Sequence, residues 1–257
     1  MNSWIKAVAV VTGALASGAL LAQAPAAPEL AATAARAQAA YFTGNTAELA
    51  KLATATAPWA KSANPRELYT HAYVQFRALQ LAIGAKRNKE ASQAGEACVD
   101  ALDAAVKRDP KFAEAHALQS ACYGYMANLG GMGAIRNGSR SGKSVEAAAA
   151  LEPRNPRVLL VEGFGVYFRP KFVGGDKGKG CDKFRAAAAV FDAAGPAGAP
   201  STAVPSAGGI DWGAAESHYW VGRCAADADQ GAVATREFER ALALAPNFAA
   251  AKRALGR

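Results

Sequence analysis

The 257-residue chain carries none of the short signatures of catalysis. It has no G-x-S-x-G nucleophile turn, no H-E-x-x-H metal helix and no C-x-x-C redox pair, so hydrolase, metalloprotease and dithiol chemistry have no motif behind them. Gly138 to Ser144 looks like a phosphate loop but has three residues between its glycines where the motif needs four, and no strand precedes it. Histidine is scarce. Of His71, His116 and His218, the last two each stand six residues before a cysteine, Cys122 and Cys224, a spacing that misses one helical face, so no metal set or cofactor is expected. β-Branched residues are sparse while about a quarter of the chain is alanine, a composition for helix and against sheet.

Acidic residues are outnumbered, 21 to 29, which leaves a formal charge of +8. A basic surface favours anionic partners such as lipid headgroups, cell-wall polymers and acidic proteins, although a solvated face that aids solubility is the simpler account. Residues 1–24 read as a secretory signal. Lys6 supplies the positive start, Ala7 to Leu21 the apolar core, and Ala22-Gln23-Ala24 the small-x-small site for cleavage after Ala24. The apolar run is short for a membrane span, and none follows it. The expectation is a periplasmic or secreted protein with no integral membrane segment after cleavage. Export also argues against nucleic acid as a partner.

The remainder reads as helices in series. An N-terminal helical segment covers 25–60, with helices from Glu29 to Tyr41 and from Thr46 to Thr56. The second region, 61–257, opens on Asn64-Pro65-Arg66-Glu67, a cap followed by Pro at the first helical position. Tyr69, Ala72, Phe76, Leu79 and Ile83 then step by three and four along one face. Lys89–Arg108, Lys111–Leu129 and Arg157–Phe168 are the next clear helices. Between them, the glycine-rich stretch 130–142 predicts a bent or late-starting helix, secure from Ser144 to Leu151. Arg169 to Asp176 predicts a loop, Gly180–Ala193 a helix, 195–210 a Pro/Gly-rich insertion, and Asp211 the cap of the next helix.

The last forty residues carry a repeat. Val221-Gly222, Ala234, Phe238, Ala241 and Pro246 stand in frame, and Pro110-Lys-Phe-Ala-Glu-Ala matches Pro246-Asn-Phe-Ala-Ala-Ala as a second copy of one junction. Glu152 to Pro156 is a looser third. The spacing resembles the tetratricopeptide repeat, W-x2-L-G-x2-Y then A-x3-F then Pro, with His218 in place of the Trp and Ala225 in place of the Tyr. The segment from Asn155 to Asp192, with its Pro-x-Phe-x-Gly-Gly-Asp turn, resembles a pattern in exported bacterial repeat proteins of uncharacterised role. These resemblances imply an all-α, irregular tetratricopeptide-like solenoid and a non-enzymatic scaffold or adaptor for a protein or peptide in the cell envelope. Its first helices would line a concave face, making Tyr73, Arg77, Tyr123, Asn128 and Tyr167 candidate partner contacts. The alternative is a binder of a small anionic or cell-wall ligand at the glycine loops 138–144 and 174–180. A cell-wall enzyme without a recognisable motif stands third.

Export permits disulfides. Cys98 and Cys122 lie twelve residues before and after Pro110, at matching depth in an antiparallel pair. Cys181 and Cys224 flank the insertion. Of three possible connectivities, Cys98–Cys122 with Cys181–Cys224 fits these positions best. Free thiols used as small hydrophobes are the alternative.

Overall fold

Asparagine and proline start two of the helices in the same way. Asn64 Oδ1 accepts the Arg66 N–H at 3.0 Å with Pro65 at the first helical position, and Asn155 Oδ1 accepts the Arg157 N–H at 2.9 Å ahead of Pro156. In this computed structural model, residues 27–193 and 210–257 are described. The proposed signal lies outside them, and so does nearly all of the 195–210 insertion.

Among the described residues there are eleven α-helices and no strand. In order they are α1 (Ala27–Thr43), α2 (Thr46–Thr56), α3 (Pro65–Gly84), α4 (Asn88–Arg108), α5 (Ala113–Asn128), α6 (Ala134–Leu151), α7 (Pro156–Phe168), α8 (Lys177–Ala193), α9 (Ala214–Asp227), α10 (Gly231–Leu244) and α11 (Ala249–Ala254). They pair into five antiparallel hairpins, α1–α2 through α9–α10, with α11 as a terminal turn. This is an all-α, tetratricopeptide-like stack.

Small residues set the hairpin spacing. A Cβ on Gly222 would stand 2.7 Å from the ring of Phe238 and 3.2 Å from the carbonyl of Ala234, so α9 and α10 approach only because position 222 has no side chain. Gly163 does the same in α7–α8, where a Cβ would lie 2.5 Å from Phe184. The Gly–Phe pairs are 16 residues apart in one hairpin and 21 in the other. The longer α7–α8 turn is what hides the repeat from a fixed-period reading.

The first helices of the hairpins run parallel. Gln38 of α1 meets Tyr73 of α3, Gln80 of α3 meets Tyr125 of α5, Glu114 of α5 meets Arg157 of α7, and Tyr167 of α7 meets Asp227 of α9. Start therefore lies beside start, and end beside end. The stack also closes on itself. Tyr41 and Phe42 of α1 pack on Phe248, which leads into α11, with the Phe42 and Phe248 ring centroids 4.3 Å apart.

Three local expectations are corrected. Helix α6 begins at Ala134, because its small face is held against α5 by hydrogen bonds from Ser141 to the Ser120 carbonyl (2.9 Å) and from Ser144 to Gln119 (2.6 Å). Helix α8 begins at Lys177, three residues before Gly180, with the Asp176 carboxylate taking the Lys179 N–H at 3.0 Å. Asp211 does not cap α9. Gly213, at φ +104°, precedes that helix, its N–H goes to Glu216 (3.2 Å), and Asp211 instead takes a hydrogen bond from Arg157.

Candidate binding surface

The four cysteines form two bonds, Cys98–Cys122 and Cys181–Cys224. Each joins the second helix of one hairpin to the first helix of the next, α4 to α5 and α8 to α9. They are staples across seams, and no free cysteine remains among the described residues.

At the starting ends of the first helices the inner face is sealed. Tyr69 and Trp212 are buried there, and the indole N–H donates to the Tyr69 hydroxyl at 2.9 Å. Arg157, fully buried, donates to Glu114 (3.2 Å) and to Asp211 (3.0 Å). Further along, the buried Arg77 of α3 bridges to α9. Its guanidinium donates to Glu216, to the Tyr73 hydroxyl (2.8 Å) and to Gln80 (2.8 Å), and it lies 4.4 Å from the centroid of the Tyr41 ring. The Tyr73 hydroxyl in turn donates a hydrogen bond to Gln38 Oε1 at 2.8 Å. Burial raises the Tyr73 and Tyr41 hydroxyls well above the ordinary phenol range, so both stay neutral donors.

Toward the finishing ends the burial relaxes. Tyr41, Gln80, Tyr125, Phe164, Tyr219 and Trp220 are half-buried, and Arg223 and Phe168 are exposed. Phe164, Tyr167 and Phe168 each lie within 6 Å of the Trp220 ring centroid. Arg223 lies 6.0 Å from the same ring. The inner face is thus a closed floor with a partly open aromatic end, lined by α7 and α9.

The residues predicted as partner contacts are dispersed over this geometry. Tyr73 and Arg77 are in the sealed floor. Tyr123 is buried in the seam of α4, α5 and α6, with Arg140 over its ring at 5.5 Å. Tyr167 is buried at the rim and donates to Asp227 at 2.8 Å, while Asn128, at the end of α5, is exposed. The structure brings Tyr73 and Arg77 into direct contact and leaves the other three apart. Phe164 and Trp220 received less weight in the sequence than they have here, because an aromatic at helical spacing reads first as core. Their meeting across α7 and α9 at the open end is a tertiary contact that only the fold reveals.

Neither glycine loop forms an open cradle. Residues 138–142 are inside α6, and in the other loop the Asp176 carboxylate already takes the Lys179 N–H at the start of α8. His218 lies between Glu237 (2.9 Å) and Asp192 (3.1 Å), and His71 meets the Thr56 hydroxyl at 2.8 Å. No cluster of three or more His, Cys, Asp or Glu among the described residues is arranged to hold a metal. No described helix is long and apolar enough to cross a membrane.

An array of paired helices closed by seams of this kind defines the class, a helical-repeat fold. Solved structures that share the fold include two all-helical proteins. One is the HusA haemophore from Porphyromonas gingivalis, with a TM-score of 0.62 at 18% identity, covering 80% of this chain and 96% of that one. The other is a thermophilic TPR protein in Thermus thermophilus, with a TM-score of 0.51 at 13% identity, covering 90% of this chain and 100% of that one. No protein-family model matches the chain, and no curated protein matches it.

Proposed function

We propose that the chain is an exported, non-enzymatic scaffold that takes a protein or peptide partner at the aromatic end of its inner face. The observation that carries this reading is the half-buried surface of Phe164, Tyr219 and Trp220 beside the exposed Arg223, at the end where the ring is not sealed. Large rings with one open face and an arginine alongside suit partner contacts. Tyr167 stands at the rim of this surface, and Tyr73 and Arg77 lie in the sealed floor. The test is co-purification of the tagged chain from its own envelope after mild cross-linking, with Arg223→Glu and Phe168→Ser beside the wild type. Both side chains are exposed, and an unchanged helical circular dichroism spectrum checks that the variants fold. A recurrent protein that is lost from the variants supports the reading, and retention equal to wild type overturns this site.

A second reading is favoured by the likeness to a haemophore. A flat apolar ligand bearing acid groups, such as haem, would stack on Trp220 and Phe168 and pair with Arg223. Titration with haemin decides it through the ligand's visible absorption band, which shifts and saturates on binding to wild type and not to Arg223→Glu.

A further inference from the structure

Two hairpin turns hold large apolar side chains out in water. Met132, between α5 and α6, and Ile135, in the first turn of α6, are 102% and 88% exposed, and Phe172 and Val173, between α7 and α8, are 89% and 51% exposed. These are built turns. The Pro170 carbonyl accepts from Val173 (3.0 Å) and Gly175 (3.1 Å), and the Val166 carbonyl accepts from Asp176 (3.0 Å). Gly174 sits at φ +88°, and a Cβ on Gly175 would stand 1.7 Å from the Arg169 carbonyl oxygen, so only glycine closes this turn. Gly130 and Gly131, at φ +79° and +71°, shape the other turn. Nothing in the interior uses the four side chains that these turns display.

The two turns share one edge. Helices α5 and α7 run parallel with their starts joined by Glu114 and Arg157, so their ends, and the turns beyond them, are neighbours. Exposed cations flank the apolar tips: Arg136, Arg169, Lys171 and Lys179. The nearby carboxylates are engaged, Asp176 at the start of α8 and Asp227 with the Tyr167 hydroxyl and Lys177. The display is of protruding apolar tips on two separate hairpins, ringed by positive charge.

We infer that this edge docks on an anionic lipid surface. The apolar tips enter the boundary between headgroups and acyl chains, while the cations meet lipid phosphates. A convex pair of tips fits a deformable interface, and the charge selects the anionic one. The inference goes beyond the scaffold reading and makes no use of the aromatic end of the inner face.

The test is co-sedimentation of the full chain with vesicles of phosphatidylcholine alone and of phosphatidylcholine mixed with phosphatidylglycerol. Binding is expected to the mixed vesicles, to be weakened by added salt, and to fall at least about tenfold in the Met132→Ser, Phe172→Ser double variant. Arg136→Glu with Lys171→Glu should lose the preference for phosphatidylglycerol. The substituted side chains are exposed, and an unchanged helical circular dichroism spectrum confirms folding. No binding to mixed vesicles, or binding that both variant pairs retain, overturns the inference. A wild-type chain that ignores vesicles but self-associates in sedimentation equilibrium, with loss in the serine variant, also overturns it and assigns the edge to contact between copies.

Discussion

Gly163 and Gly222 are the residues that set how closely the helices of their hairpins approach. A methyl at either position meets a phenylalanine ring well inside contact distance. Gly163→Ala and Gly222→Ala should each destabilise by about 1–3 kcal/mol, read as a lower urea midpoint at unchanged slope. Charge matters at the same scale. Burial depresses the pKa of His71 below its ordinary 6.5, so the unfolded chain binds the proton more readily than the folded one. The stability this confers is present above pH 6.5 and is lost as pH falls through the folded value. Glu237 extends the trend at lower pH. Burial pushes its carboxyl up, but hydrogen bonds from His218 and Arg236 outweigh that and leave it below its ordinary 4.5, so its contribution is lost on acidification too. Melting temperature should therefore fall as pH drops below about 6.5, and His71→Gln should flatten the upper part of that fall.

At the scale of the element, much was legible and the failures have physical causes. Thr46–Thr56 is found as read, and the Asn-Pro starts of α3 and α7 are found with their caps made. Local signals sufficed there, because a cap and a proline act within a single turn. The start of α6 was legible only as a bent or late-starting helix, since glycine and serine in a row are weak helix formers until a partner helix supplies a face for them. The α7–α8 hairpin escaped the repeat count because its turn is lengthened while its Gly163–Phe184 contact is kept. The aromatic end of the inner face depends on the meeting of α7 and α9, which no local pattern encodes. The two disulfides allow a comparison between elements. Replacing either pair by serine should cost roughly 2–4 kcal/mol. Loss of Cys181–Cys224 should cost slightly more, because its sequence separation is 43 against 24. Urea melts of the two double variants check the order.

For the whole molecule, closure is the property with the largest consequence. In an open repeat array the end hairpins have one neighbour each and fray first. Here Tyr41 and Phe42 rest on Phe248, and Arg77 of α3 reaches Glu216 of α9, so the ends support one another. Hydrogen exchange should show α1 and α10 protected nearly as well as α5. Phe248→Ala should expose both ends together while leaving α5 protected, and exchange followed helix by helix distinguishes this from a uniform loss.

The two seam staples also govern how the chain responds to tension. Pulled from its ends, a polypeptide lengthens by roughly 3.5 Å for each residue released. The residues between Cys98 and Cys122 and between Cys181 and Cys224 are covalently bypassed, so they add no length while the bonds are intact. Force can unravel the α1–α2 hairpin, the stretch from α6 to α7 and the chain from α10 onward, but the two bridged segments stay short. A reductant would turn the same molecule from a partly inextensible strap into a fully extensible one.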